Sequence, residues 1–237
     1  MRIALAVASS VGLGLGLACA PARAQTHPKP AKLVKTPEVL PAPDKSYGSR
    51  TAPITIEVFS DYECPMCRTL YEQTLRPIIN DYVAAGKVYL IHRDFPLVMH
   101  KDSGQASRWA NAAAQIGQFE AVEGALYDNQ AAWEVSSDLQ KYVAAAMPSA
   151  DFKRLERIME GCVPPGPTDK PGGGVNQPPR PCSVDPYIEQ DIELGSRVPV
   201  TGTPTYVISY KGQRLPAGSG FVSWPVLKQF LDNLLAQ

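Results

Sequence analysis

The stretch "ITIEVFSDYECPMCRTLYEQ", residues 54–73, changes its period halfway along. Ile54, Ile56 and Val58 alternate with Thr55, Glu57 and Phe59, as a strand requires. Beyond the two cysteines, Leu70, Tyr71, Leu75, Ile78, Ile79, Tyr82 and Val83 recur at helical spacing until Gly86 supplies a stop. Pro77 predicts a kink in that helix. A strand ending near Ser60 and a helix beginning at Pro65 place Cys64 at the N-cap, with Pro65 where a missing N–H costs nothing. The N–H groups of Met66 and Cys67 then face the Cys64 sulfur at the positive end of the helix dipole, and both effects favour a thiolate. Cysteines so placed have pKa values of roughly 3.5 to 7 instead of about 8.5. The spacing therefore predicts Cys64 as a nucleophile and Cys67, one turn inside the helix and more buried, as its resolving partner.

Working outward, "KVYLIHRDFPL" (87–97) predicts a second strand ended by Pro96, giving strand, helix, strand, the start of an α/β layer. From Ser103 to about Gly161 the pattern is wholly helical: an Ala-rich segment through Trp109 and Ile116, another through Phe119, Val122 and Leu126, and two shorter ones containing Tyr142 and Leu155. This is a helical insertion, placed at about 103–182. Its last part, "VPPGPTDKPGGGVNQPPRP" (163–181), is dominated by Pro and Gly and excludes regular structure. Residues 184–196 return to helix and "TPTYVISY" (203–210) reads as a strand. Lys211-Gly212 is a turn, "GQRLPAG" (212–218) a short edge strand, and the chain ends in an amphipathic helix with Trp224, Leu227, Phe230, Leu231 and Leu234.

Residues 1–24 begin with Arg2, run through an apolar stretch and end in Ala22-Arg23-Ala24, the pattern of a signal peptide cleaved before Gln25. An uncleaved anchor is the weaker reading, because serines and glycines dilute a core of only about 15 residues where a span needs about 20. Lipoprotein anchoring through Cys19 is also weaker, since Leu17 stands one place too late for that pattern. Residues 25–52 hold five prolines and four lysines with no apolar period, which predicts an extended, largely unpacked arm. Without Arg2 and Arg23 the chain carries 21 basic and 23 acidic residues, a balance that points to neither nucleic acid nor a membrane surface. Four cysteines remain in an exported, oxidising compartment, and two pairs are expected.

Several chemistries compete for Cys64-Pro65-Met66-Cys67. Zinc wants a second close pair or nearby histidines, whereas Cys162 and Cys182 are 20 positions apart and the three histidines are scattered. A purely structural disulfide suits an irregular loop better than a strand-to-helix junction. Cu(I) suits the soft set Cys64, Met66 and Cys67. Redox exchange is favoured over all three. Cys162 and Cys182 read as a structural disulfide pinning the Pro/Gly loop, worth roughly 3 kcal/mol for a loop of about 20 residues; a second, exchanging pair is the alternative. His100 and Met99 are read as packing or helix-entry residues ahead of groove lining, and His92 as ordinary. Trp109 and Trp133 belong in the core, and Phe59, Asp61 and Tyr62 are candidate groove residues.

Three motifs in order, "APITIEVFSDYECPMC" (52–67), "GKVYLIHRDFPLVMH" (86–100) and "GTPTYVI" (202–208), resemble the DsbA-like branch of the thioredoxin superfamily, exported thiol:disulfide oxidoreductases. The resemblance covers about residues 48–237 outside the Pro/Gly loop. It implies an α/β thioredoxin fold with an inserted all-helical domain, here at 53–237. It also implies a cis-proline turn at Thr203-Pro204 facing the cysteines, with Thr203, Pro204, Pro65 and Met66 contacting the substrate. Three departures bear on its chemistry. Val58 stands where many relatives carry a buried acid, and Glu57 points to the other face. Met66 stands where the strongest oxidant has His. Thr203 matches the reducing or isomerising branch. The reading is a periplasmic, monomeric enzyme that exchanges disulfides with cysteine-containing clients and a membrane redox partner, with no metal or cofactor. Oxidase is slightly favoured; reductase or isomerase is the alternative within the fold, and a Cu(I)-binding or client-binding module the alternative outside it.

Overall fold

In the computed structural model, which describes residues 40–160, 162 and 182–237, the central strand is β2 (Ile54–Ser60). It runs parallel to β3 (Val88–Asp94), with Val58 opposite His92, and antiparallel to β4 (Thr205–Tyr210), with Val58 opposite Tyr206. The Lys211-Gly212 turn, with φ of 47° and 80°, returns the chain into β5 (Gln213–Arg214); such angles suit the tight hairpin turns that match strand twist. Two further short strands, β1 (Ser46–Tyr47) beside β3 and β6 (Gly218–Ser219) beside β4, complete a mixed sheet of order β1-β3-β2-β4-β5. The expected signal peptide with Cys19, the arm as far as residue 39 and the Pro/Gly run 163–181 lie outside the described residues.

β1 corrects the expectation of an unpacked arm through residue 52. Tyr47 is buried, and the Lys45 ammonium is buried between Asp94 and Asp191, the latter at 2.6 Å. Burial pushes the Lys45 pKa down, but the two carboxylates outweigh it and hold the ammonium charged. Arm composition argued against packing because Pro and Lys rarely pack. One lysine with two buried acids waiting for it reverses that, and the acids are far away in sequence.

The helix after the motif, α1, runs from Pro65–Leu70 through a π-helical turn at Tyr71–Leu75, a short α-helical piece at Arg76–Ile78 and a second π-helical turn at Ile79–Val83. Pro77, where a kink was expected, lies in the short α-helical piece between the two π-helical turns, and the helix continues through it. The Arg76 N–H already reaches five residues back to the Tyr71 carbonyl, and the wider register carries the chain past the residue that lacks a donor. One face of β2 (Ile54, Ile56, Val58, all nearly inaccessible) packs against α1. The C-terminal helix, α8 (Trp224–Leu235), lies against α1, where Tyr82 meets Trp224 edge-on at 5.6 Å. On the other face lies α7 (Asp185–Arg197), at whose Gly195 a Cβ would come within 2.6 Å of the Phe95 ring; only glycine permits that approach.

Between β3 and α7 the helical insertion comprises α2 (Ser103–Ala114), α3 (Phe119–Asp128), α4 (Gln130–Ser136), α5 (Leu139–Ala145) and α6 (Ser149–Ile158). Ala106, Ala110, Ala112 and Ala113 are fully buried, so the Ala-rich run is a close-packing face. Trp109 stacks on Phe152 at 6.2 Å, and the Trp133 indole N–H donates to the Leu126 carbonyl at 2.7 Å. Both tryptophans are core residues, as the sequence suggests. α4 is a separate helix that the apolar pattern does not announce, because it follows α3 after a single residue, Asn129.

Candidate active site

β2 ends at Ser60, and a turn closed by the Cys64 N–H on the Asp61 carbonyl (3.1 Å) leads into α1. Cys64 has extended backbone angles (φ −78°, ψ 120°), Pro65 opens the helix, and the Cys64 carbonyl accepts the first helical N–H bonds, from Cys67 and Arg68. This is the N-cap geometry that the sequence predicts, although the sulfur makes no strict side-chain cap bond. Cys64 is 7% exposed and Cys67 1%. Across the site the Thr203-Pro204 peptide is cis, and the Thr203 carbonyl lies 3.4 Å from the Cys64 sulfur, from which it accepts when that sulfur is protonated. Met66 is 46% exposed and Pro65 is exposed at the rim, while Pro204 is buried.

The electrostatics of the two sulfurs diverge. A hydrogen bond from Cys67 is the largest influence on Cys64. Against the effect of burial, it acts with Thr203 and the N–H groups of Cys67 and Met66 to lower the Cys64 pKa to about 5. Burial, reinforced by the neighbouring Cys64 charge, pushes the Cys67 thiol well above its ordinary value. One sulfur is thus a thiolate at neutral pH and the other a thiol that hydrogen-bonds to it.

Asp61 organises the turn. Its carboxylate accepts from the N–H of Glu63 (2.8 Å) and of Leu97 (2.7 Å), from Ser103 and from His100 Nδ1 (2.7 Å). Phe59, Asp61 and Tyr62 are completely buried, which corrects their reading as groove residues. They follow the strand inward instead of opening onto the surface. His100, read as a packing residue, belongs to the site: burial lowers its pKa, but Asp61, then Glu63 and the Cys64 charge, raise it overall. The loop that carries it exposes Val98 and Met99. Gln130 at the start of α4 donates to the carbonyls of Tyr62 (2.6 Å) and Cys64 (3.1 Å), so the helical insertion grips the motif's backbone. Nothing local in the sequence marks Gln130 for that task.

Behind the turn, His92 stacks on Tyr62 at 4.9 Å and is far from ordinary. Its Nδ1 lies 2.8 Å from Glu123, and its Nε2 lies 3.6 Å from Asp94. Burial alone would depress its pKa; the two carboxylates raise it to about 9, which makes it a buried cation. Tyr47 donates to the same Glu123, and Arg93 pairs with Glu57 at 2.7 Å on the opposite face. Glu57 is thereby directed away from the cysteines, and Val58 is buried as expected. The second pair, Cys162 and Cys182, forms a disulfide with a Cα separation of 4.5 Å, joining the end of the insertion to the approach to α7. Among the described residues there is no group of three or more His, Cys, Asp or Glu side chains able to hold a metal, and no helix is long and apolar enough to cross a membrane.

A mixed sheet with a Cys-Pro-Met-Cys helix start facing a cis-proline defines a thioredoxin-fold dithiol protein. Residues 42–170 match the thioredoxin family, and the chain belongs to it. A structural relative is alpha-DsbA1 of Wolbachia pipientis, with a TM-score of 0.62 at 19% identity, covering 84% of this chain and 94% of that one. By sequence the chain is similar to the Na(+)/H(+) antiporter NhaA 3 of Salinispora tropica, 27% identical over 196 residues (81% of this chain, 26% of that protein). It is also similar to the probable disulfide bond formation protein D of Bacillus cereus, 27% identical over 118 residues (48% of this chain, 55% of that protein). The chain spans about a quarter of the antiporter and about half of the Bacillus protein. The resemblance read from the three sequence motifs, and the thioredoxin fold with helical insertion that it implies, agree with these findings.

Proposed function

We propose that this chain is an exported thiol:disulfide oxidoreductase acting on cysteine-containing client proteins, with oxidation of clients as its favoured direction. The observation that carries the reading is the Cys64 sulfur at the N-terminus of α1 beside Thr203, with its pKa at about 5. A thiolate so stabilised favours the reduced form of the pair, so the disulfide form is a good acceptor of electrons.

In the oxidised enzyme a client thiolate attacks the Cys64 sulfur. The Cys64–Cys67 bond breaks, and Cys67 leaves with the electron pair and takes up a proton. A second client thiolate then attacks the client sulfur of the mixed disulfide, forming the client disulfide and releasing Cys64 as its stable thiolate. The backbone of Thr203 beside Pro204 would align an extended client segment, and Pro65 and Met66 would flank it. Cys162–Cys182 is assigned a structural role. Two electrons per cycle would pass to a membrane redox partner, and the enzyme would work as a periplasmic monomer delivered by the 1–24 leader.

Cys67→Ser tests the exchange. It should accumulate Cys64-linked mixed disulfides with exported proteins, visible on non-reducing gels; absence of adducts together with stoichiometric Cu(I) binding would replace this reading with the copper-binding one. Direction is read from the potential of the Cys64–Cys67 pair against glutathione. Values near roughly −120 mV support an oxidase, and values near roughly −250 mV a reductase.

A further inference from the structure

Pro65 has no N–H, so the peptide group that joins Cys64 to α1 can be held only through the Cys64 carbonyl. That oxygen accepts from the N–H groups of Cys67 and Arg68, both at 3.1 Å, and from Gln130 Nε2, also at 3.1 Å. The same amide nitrogen donates to the Tyr62 carbonyl at 2.6 Å. Carbonyl oxygens only accept, so the partners fix which way the amide points: its nitrogen faces the turn. With the Cys64 N–H on the Asp61 carbonyl and the Glu63 N–H on the Asp61 carboxylate, the backbone is held at each residue from Asp61 to Cys64. Gln130 is itself buried and set from behind, since Trp133, in the same helix α4, is fully buried and donates to the Leu126 carbonyl of α3.

The residue type suits the place. Two N–H groups on one nitrogen match the two carbonyls on either side of Glu63, and the amide brings no charge to a turn whose next residue is the nucleophile. A carboxylate would set its oxygens against both carbonyls, and a side chain without a donor would leave them short of a partner in the interior. We propose that Gln130 is a positioning residue for the dithiol: by holding the Tyr62 and Cys64 carbonyls it keeps the Cys64 sulfur at the open end of α1, where the first helical N–H groups meet it, and so ties the redox poise of the pair to the helical insertion. The proposal rests on the exchange reading above. Gln130 bonds to backbone oxygens and acts through them. Released from it, the Cys64 carbonyl swings about ψ and the first helical N–H groups move off the sulfur. The reduced form is then less stabilised, and the disulfide becomes a poorer oxidant.

Gln130→Met matches the length of the side chain and removes both donors. The pH midpoint of Cys64 alkylation in the reduced protein should move upward by about one unit, and the equilibrium constant for reduction of the enzyme disulfide by glutathione at neutral pH should fall about tenfold, or about 30 mV. Gln130→Asn, one methylene shorter, should shift both in the same direction and gives the same readout should Gln130→Met fail to fold. Neither substitution adds or removes a titratable group, so a moved midpoint reports the cap itself. Trp133→Phe loosens the same helix without touching the turn; it should lower the urea midpoint of unfolding and leave the alkylation midpoint and the glutathione constant unchanged. An unchanged midpoint and constant in folded Gln130→Met or Gln130→Asn protein would overturn the proposal, as would an equal shift in Trp133→Phe. A wild-type Cys64–Cys67 pair that does not exchange with glutathione at all would overturn the exchange reading instead.

Discussion

Cys64 and Cys67 lie three residues apart at the start of a helix, whereas Cys162 and Cys182 lie 20 apart, closing a Pro/Gly-rich loop. Both pairs are largely shielded from water, so burial does not distinguish them. What differs is the polar company. The first pair has the N–H groups of Met66 and Cys67 beside the Cys64 sulfur and the Asp61 N–H beside the Cys67 sulfur, donors that favour negative charge, as well as the Thr203 carbonyl, which does not. Around the second, the Cys162 sulfur has the Ile158 carbonyl at 3.7 Å, an acceptor that offers a thiolate nothing. On the proposed reading, reactivity follows the donors aimed at a sulfur and not the presence of a cysteine pair.

The largest effect expected from breaking that contrast is on exchange itself. Cys64→Ser should reduce client oxidation to the uncatalysed background, while Cys162→Ala/Cys182→Ala should leave turnover and the potential of the first pair within error; a change in that potential would mean that the pairs exchange. Stability should respond on both sides of the contrast. The active turn is supported by charges: Lys45 between Asp94 and Asp191, whose loss as Lys45→Met strands buried carboxylates at a cost of about 3–5 kcal/mol in urea unfolding. Asp94, which burial alone would make a weaker acid, is held well below the usual carboxylate range by Lys45 and His92, so it loses most when the lysine goes. The second pair is a covalent tie, and the double alanine variant should lose about 3 kcal/mol under non-reducing conditions.

A smaller, graded effect follows from pH. The Cys64 pKa in the folded, reduced protein is about 5, below the ordinary thiol value of about 8.5. The thiolate's contribution to the reduced form is complete above the ordinary value and is lost as pH falls toward 5, whereas the oxidised form has no thiol at this position to titrate. The stability of the reduced form relative to the oxidised form should therefore rise between pH 5 and about 8.5. Alkylation of the reduced protein should be flat above about pH 6 and decline below 5 with a single group. A midpoint near 8.5 would contradict the proposed thiolate stabilisation.

Much of this was legible from local pattern. The alternation of Ile54, Ile56 and Val58 gave β2 its bounds, Pro65 and Gly86 bracketed α1, and Cys64 fell at the cap because strand and helix left it no other place. Elsewhere the pattern misled. Phe59, Asp61 and Tyr62 looked like rim residues from their position beside the motif, yet a carboxylate with four donors is compatible with the interior. Lys45 and His92 carried no signal at all, since a buried cation is defined by acids that arrive from distant segments.

The sequence by itself determined where the proposed nucleophile sits and which local groups lower its pKa, because the N-cap position, the Cys67 thiol and the N–H groups of the first helical turn are set within four consecutive residues. Only the tertiary structure decided what surrounds that turn: Thr203 from 139 residues away, Gln130 and Tyr127 from the insertion, His100 on Asp61, and the Lys45 and His92 charges behind it. The physical reason is range. Backbone hydrogen bonding and side-chain period act over a few residues and can be read in order along the chain. Desolvation and pairing of buried polar groups depend on which segments meet, and that is settled only when the sheet and the helical insertion close over the site.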